Sequence, residues 1–321
     1  RWLSLAPGGS LRIQPSEFAK ITTVMALARF LGDRSSEQVV SPRAIIGAVV
    51  ISMIPIALVS RQPDLGTAVS FGAPLIPMLY WAGMRPLHIF FLVAPLLSVV
   101  CSFEPLWQDQ APIVFALYII VSSVVIQLLL ARLWVTLSML AVNLSAGLVT
   151  VYLWANFLLA YQKARVLTLL DPERDPLGTG WNIIQSRIAI GSGGPTGKGF
   201  LQGTQTKYEF LPAAHTDFIF SVIGEELGFM GAVFVLALFL FLIWRALYIG
   251  TMANSRFASL LAVGLGSILT FHVFVNVGMT IGVMPVTGLP LPFLSYGGSS
   301  LMTNALAVGL LLHIYAHRHE Y

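Results

Sequence analysis

Nine apolar runs, each near the ~20 residues a helix needs to cross a hydrocarbon core, fill most of the chain. They fall at 16–31, 43–60, 65–82, 86–103, 111–131, 133–159, 217–244, 256–279 and 299–316. With 56% hydrophobic and 10% charged residues over 321 positions, the chain is no soluble globule of ordinary make-up. The fold class that follows is all-α: a polytopic integral membrane helical bundle of about nine spans. The single cysteine, Cys101, lies inside an apolar run, which leaves neither a disulfide framework nor a thiolate metal site. No internal repeat or low-complexity segment is visible, so residues 1–321 are read as one membrane domain. The sequence opens at Arg1 without an initiator methionine or a signal-peptide pattern, so further chain upstream is expected.

Short loops rich in arginine stay on the cytoplasmic side of a membrane. Those holding Arg29, Arg34 and Arg43, then Arg85, then Arg132, then Arg245 and Arg256 alternate with poorer ones. This places the C-terminal His317-Arg318-His319-Glu320 inside the cell and residues 160–216, the one long loop, outside. Within that loop Trp181–Ile190 is amphipathic enough to lie in the interface plane as a short helix. A net charge of +4 is modest, and no nucleic-acid partner is expected.

The long hydrophilic passage 181–228 hands directly into an apolar run at His215-Thr216-Asp217, so a carboxylate stands at the membrane surface on the first turn of a spanning helix. Polar groups at or inside the bilayer are costly and mark function. After Asp217, Ser221, Gly224, Gly228 and Gly231 follow within about 40° of one helix face. Such a stripe makes either a groove for a lipid tail or a close helix contact. Arg61 to Thr67 joins two spans on the same outer face, as a tight turn or as part of a site. Glu17 and Lys20 sit in the first run, inside a protein-lined cavity rather than against lipid. His272 and Asn276, four apart, share a helix face suited to interhelical hydrogen bonds. Pro285, Pro290 and Pro292 forbid a regular helix before Ser295–Ser299, where a helix N-terminus with Gly297 and Gly298 suits either capping or a phosphate. Gly191–Gly199 fails as a nucleotide loop, because Gly199 stands where a serine or threonine would hold magnesium. His313, His317 and His319 end a helix at the inner rim and are read as incidental.

Five stretches in order carry a resemblance: QPSEFAK at 14–20, QPDLGT at 62–67, LLDPERDPLGTGWNIIQSRIAIGSGGPTGKG at 169–199, GTQTKYEFLPAAHTDFIFSVIGEELG at 203–228 and PLPFLSYGGSS at 290–300. Together they resemble the RodA/FtsW family of shape, elongation, division and sporulation proteins, and lie nearer its RodA branch. The resemblance implies about ten spanning helices, polymerisation of lipid II on the outer face of the bacterial cytoplasmic membrane, and partnership with a class B penicillin-binding protein. Relative to the family pattern about three N-terminal helices are absent, and three apolar runs between Met84 and Leu159 stand where one is usual. Ala213 replaces a glutamate, and Glu209 is a candidate substitute for it.

In that reaction the 4-hydroxyl of a lipid II acceptor attacks the anomeric carbon of a growing polyprenyl-linked glycan, and a diphosphate departs. The resemblance implies Asp217 as general base, an aid worth about 10²–10⁴-fold; partial desolvation at the membrane boundary would raise its pKa. Arg61, Lys163, Arg165 and Lys198 are expected at the diphosphate, with Asp64, His215, Ser295 and Gly297 completing the substrate site. A divalent cation, Mg or Mn, is a candidate to bridge diphosphate to Asp64 or Asp217, though spacing does not specify it. Inversion needs no covalent intermediate. A flippase for lipid-linked precursors, another polyprenyl-sugar ligase and a scaffold without chemistry are the competing readings.

Overall fold

The computed structural model describes residues 3–4, 12–62, 64–130, 133–157, 163, 167–168, 171–174, 180–208 and 210–319. Among them the regular structure is helical apart from a two-residue antiparallel pairing of Leu3–Ser4 with Arg12–Ile13. By its internal contacts the chain forms two compact units, Arg1–Met84 with Trp181–Tyr321, and Arg85–Gly180. The even succession of apolar runs, read as one domain, does not announce that division.

In chain order the first unit opens with α1 (Pro15–Gly32), α2 (Pro42–Ser60), α3 (Leu65–Ser70) and α4 (Leu75–Trp81). The second unit holds α5 (Pro86–Cys101), α6 (Ala111–Leu130) and α7 (Leu133–Asn156). The first unit resumes with α8 (Trp181–Gly193), α9 (Ile219–Glu226), α10 (Gly228–Met252), α11 (Arg256–Thr280) and α12 (Gly298–Ala316).

Six of the described helices are long and apolar enough to cross a membrane: α2, Glu104–Leu128 (most of α6 and the turn before it), α7, α10, α11 and α12. The protein is a multi-pass membrane protein. The other three runs take different forms for local reasons. Charged Glu17, Lys20 and Arg29 interrupt the apolar character of α1. Run 65–82 breaks between α3 and α4, where Gly72 and Pro74 end one helix and start the next. Run 86–103 yields only the 16 residues of α5.

Helix α11 is the axis of the first unit. Sixty-seven per cent of its apolar window is buried, against 17% for α10, whose outward face carries Phe234, Leu238 and Phe241. Ser255 caps α11 by accepting from the Ala258 amide. Helix α1 packs on it through Val24, Leu27, Ala28 and Leu31, an i, i+3, i+4, i+7 stripe that is wholly buried. The helices come close because Gly264 has no side chain: a Cβ there would lie 2.4 Å from Val24 Cγ1. In the second unit α5, α6 and α7 pack pairwise, and buried hydroxyls bond to backbone as lipid-embedded helices require. Ser98 Oγ donates to the Asn143 carbonyl at 2.5 Å and the Tyr118 hydroxyl to the Ala94 carbonyl at 2.6 Å.

The run that begins at Asp217 is not one helix. Helix α9 starts at Ile219 and stops at Glu226, and the spanning helix α10 starts at Gly228. Gly228 has φ +65° and its missing Cβ leaves room for the Gly197 amide, so a loop backbone is docked into the break. Ser221 and Gly224 therefore serve packing rather than a continuous groove. Ser221 Oγ lies 2.5 Å from Ser186 Oγ of α8, and a Cβ on Gly224 would meet Ile190 at 3.1 Å. Helix α8, expected near the membrane interface, docks through buried Ile183, Ser186, Ala189 and Gly193. Ser186 Oγ also donates to the Thr280 carbonyl at 2.6 Å, and Arg187 donates to the carbonyls of Ile281 and Gly282.

Candidate active site

Asp217 sits in a turn, 211–218, rather than on a helix. The turn is held from below by Leu211, Ala214 and Phe218, which form an apolar cluster with Val222 of α9. Ala213 adopts φ +56°, and its carbonyl accepts the amides of Thr216, Asp217 and Phe218. From above, three successive carbonyls are each taken by a different donor. Tyr296 N–H bonds to His215 O at 2.8 Å, Ser295 Oγ to Thr216 O at 2.6 Å and Asn276 Nδ2 to Asp217 O at 2.9 Å. Ser295 Oγ in turn accepts the Leu291 amide, and Asn276 Nδ2 also donates to Leu289 O. Irregular backbone at 282–297 is thus tolerated because α11 and the turn satisfy it.

This bracing uses main chain and leaves the Asp217 side chain to the site. Its carboxylate faces Gly288, which has φ +70° and whose missing Cβ would stand 3.5 Å from Oδ2. The turn at Asp64 meets the same segment, for a Cβ on Gly66 would lie 2.4 Å from the Thr287 carbonyl. Asp64 caps α3 by accepting from Thr67 N at 3.2 Å, and its charge acts on both Asp217 and Lys20. Burial pushes the Asp217 carboxyl above its usual range; the Thr216 hydroxyl works against this and the like charge of Asp64 adds to it.

Behind the turn lies a buried charge pair. Lys20 Nζ is 2.8 Å from Glu17 Oε1 and 3.1 Å from His272 Nε2, with Glu17 and Lys20 only 4% and 2% exposed. An ammonium has only protons to offer, so His272 Nε2 accepts and its Nδ1–H points to the Pro290 carbonyl at 3.4 Å. The pair on α1 is thereby tied through α11 to the segment that braces Asp217. His272 and Asn276, read from spacing as a hydrogen-bonding face, both hold that segment. Glu17 and Lys20 are inside protein, as expected.

The expected phosphate ligands do not all converge. Arg61, at the C-terminus of α2, is exposed three residues from Asp64. Lys198 is committed elsewhere: its ammonium is 2.6 Å from Glu225 Oε1, and that buried carboxylate also accepts from Thr204 N, Thr204 Oγ1 and Gln205 N. Burial alone would raise the Glu225 pKa, but Lys198, Thr204 and the two amides together hold it below its usual value. Lys163 belongs to the second unit, where it donates to the Ala155 carbonyl and lies over the Trp154 ring. Arg165, Glu209 and Arg132 lie outside the described residues. Ser295 is 9% exposed with its hydroxyl engaged by Leu291 N and Thr216 O, so it braces the turn. Gly297 is the N-cap of α12, and its carbonyl accepts the Leu301 amide. His215 is exposed on the turn. Glu225, unremarked in the sequence, had one available sign: a glutamate in a short segment flanked by glycines at 224 and 228. Among the described residues no group of three or more His, Cys, Asp and Glu is placed to hold a metal.

The profile of a family described as cell cycle proteins, FtsW, RodA and SpoVE, matches residues 1–113 and 105–320. The chain is 39% identical over 318 residues to the peptidoglycan glycosyltransferase MrdB of Escherichia coli, covering 99% of this chain and 71% of that protein. It is 40% identical over 334 residues to the peptidoglycan glycosyltransferase RodA of Treponema pallidum, covering 97% and 76%. Among solved structures, one titled for the coordination of polymerization and crosslinking by a peptidoglycan synthase complex has a TM-score of 0.70 at 29% identity, over 100% of this chain and 74% of that one. The rod shape determining protein RodA of Thermus thermophilus gives 0.55 at 24% identity, over 100% and 70%.

Proposed function

The chain belongs to the FtsW, RodA and SpoVE family of cell cycle proteins and is a peptidoglycan glycosyltransferase; we propose that it polymerises lipid II with Asp217 as the general base. The observation that carries the assignment of the base is the brace on residues 215–217, whose main-chain hydrogen bonds position a half-buried carboxylate of raised pKa that the Thr216 hydroxyl also contacts. In this reading Asp217 takes the proton of the acceptor 4-hydroxyl as its oxygen bonds to the anomeric carbon. The bond to the diphosphate breaks on the opposite face, giving inversion. A sugar hydroxyl is a weak nucleophile, and a base of raised pKa removes its proton more readily provided it stays ionised. Arg61 is the cation of the first unit best placed by sequence for the leaving group, three positions from Asp64.

Asp64 and Asp217 are two carboxylates of one locality, which suits a magnesium or manganese ion that takes its remaining ligands from phosphate and water. When bound, such an ion would neutralise charge on the diphosphate. The nine-span count is retained by reading α1, the broken pair α3 and α4, and α5 as further crossings of the bacterial cytoplasmic membrane. The arginine-rich loops are then cytoplasmic, and residues 160–216 and the site are extracytoplasmic. A class B penicillin-binding protein is the proposed partner for crosslinking, and the likeness to a chain from a synthase complex supports it.

Purified protein with labelled lipid II, with and without a cognate class B penicillin-binding protein, tests the reading. Asp217→Asn should fold, bind the partner and polymerise at less than about a tenth of the unmutated rate, since base catalysis is worth about 10²-fold or more. A faster variant sinks the assignment. Lipid II translocation by the variant in proteoliposomes, alongside no polymerisation by the unmutated protein, favours the flippase instead.

A further inference from the structure

At the far end of α1, nine residues beyond Lys20 and so ~14 Å along the helix from the buried charge pair, lies an open cavity of about 840 Å³. Arg29, Arg34 and Arg43 line it with Asp33, Phe30 and Ile51. Its chemistry is lopsided: three guanidinium groups face one carboxylate. Arg29 pairs with Asp33 at 3.2 Å, but both side chains are more than half exposed, at 73% and 55%, so the pair is solvated and weak. Arg34 stacks on the Phe30 ring at 3.5 Å and donates one N–H to the Phe30 carbonyl, which leaves the rest of its five donors unused. Arg43 is exposed and makes no hydrogen bond or ion pair with any described residue.

The floor of the cavity is built. Phe30 fills a notch in α2 left by Gly47, where a Cβ would stand 2.2 Å from the ring, so α1 and α2 are locked together beneath the arginines. From Arg43 an apolar track runs along α2. Ile46, Val50 and Ile54 follow at the i+3, i+7 and i+11 positions, on one helix face, and are 61%, 47% and 58% exposed. A cationic head with an apolar track beneath it has the polarity of a phospholipid and not of a free anion, which would leave the track unused.

We propose that this cavity binds the headgroup of an anionic phospholipid, with the phosphate at Arg34 and Arg43 and an acyl chain along Ile46, Val50 and Ile54. Each arginine near an anionic lipid surface strengthens attraction about fivefold. The site is apart from Asp217 and does not depend on the reaction assigned there.

The test uses the full chain in non-ionic detergent, titrated separately with dioleoyl phosphatidylglycerol, dioleoyl phosphatidylcholine, inorganic phosphate and glycerol phosphate. Retention is read by native mass spectrometry and stabilisation by the thermal midpoint. Phosphatidylglycerol should be retained and stabilise, and phosphatidylcholine should not. Arg34→Gln with Arg43→Gln should weaken phosphatidylglycerol binding about 25-fold, and Arg43→Gln alone, a side chain with no hydrogen bond or ion pair to a described residue, about fivefold. Arg318→Gln, an equal loss of charge in the same unit at a residue that does not line the cavity, should leave it unchanged. Equal binding of both lipids, an undiminished response in Arg43→Gln, or equal stabilisation by glycerol phosphate alone overturns the proposal, the last by making this a site for a soluble anion.

Discussion

Lys198 separates two accounts of the loop that follows α8. As a phosphate ligand its loss would weaken use of lipid II; as the partner of Glu225 its loss would loosen the fold. Lys198→Met keeps the aliphatic stem and removes the ammonium that lies 2.6 Å from Glu225 Oε1. Breaking a fully buried ion pair costs about 3–5 kcal/mol. Here Lys198 is 29% exposed, and Glu225, at 0%, keeps the Thr204 hydroxyl and the amides of Thr204 and Gln205. The expected cost is nearer that of one charge-assisted hydrogen bond, about 1.5–3 kcal/mol. The effect carries a pH signature with a fixed sign. Glu225 has a folded pKa below its unfolded value, so its contribution is fully present above about pH 4.3 and is lost as pH falls through the folded pKa. Thermal midpoints of the unmutated protein, Lys198→Met, Glu225→Gln and the double variant form a cycle whose coupling isolates the pair. Polymerisation by the folded fraction of Lys198→Met should show an unchanged KM for lipid II. An unchanged thermal midpoint with a KM raised tenfold would refute the clamp and return Lys198 to the diphosphate.

Asn276→Ala removes the donor shared by the Asp217 and Leu289 carbonyls; kcat should fall tenfold or more with little change in KM, measured on labelled lipid II at saturation. The acid limb of the pH–rate profile should lie above the ordinary carboxylate range, with rate lost as pH falls through the raised Asp217 pKa. Asp64→Asn, which keeps the cap on α3, should shift that limb to lower pH by removing a like charge; a limb that stays in place assigns it to another group. In a Cys101→Ser background, a cysteine at Thr204 should react with an impermeant probe in intact cells, whereas labelling only after lysis would reverse the orientation.

Apolar runs and their charged interruptions are local properties, which is why the sequence made the helices and the buried Glu17 and Lys20 legible. It placed Asp217 correctly at the edge of a hydrophobic segment but extended the helix through it, because the break at Gly228 exists only where the distant Gly197 backbone docks. The same limit explains Lys198. A lysine in a glycine-rich loop reads as a free cation until the carboxylate 27 residues on is folded over it. Ser295 is a similar case. Its position before a helix suggested a ligand, and only the tertiary contact with Thr216 reveals a hydroxyl already spent on backbone. The His272 and Asn276 face was visible from spacing because both lie on one helix; what it holds, residues 289 and 290, was not.

What Tyr296, Ser295 and Asn276 grip at the turn is peptide oxygen, common to every amino acid. The main-chain position of the base is therefore indifferent to the side chain of His215 and follows the 289–296 segment as a mounted part follows its bracket. A displacement of that bracket by 1 Å would carry the carboxylate with it, a misplacement of the size that costs about 10²-fold in rate.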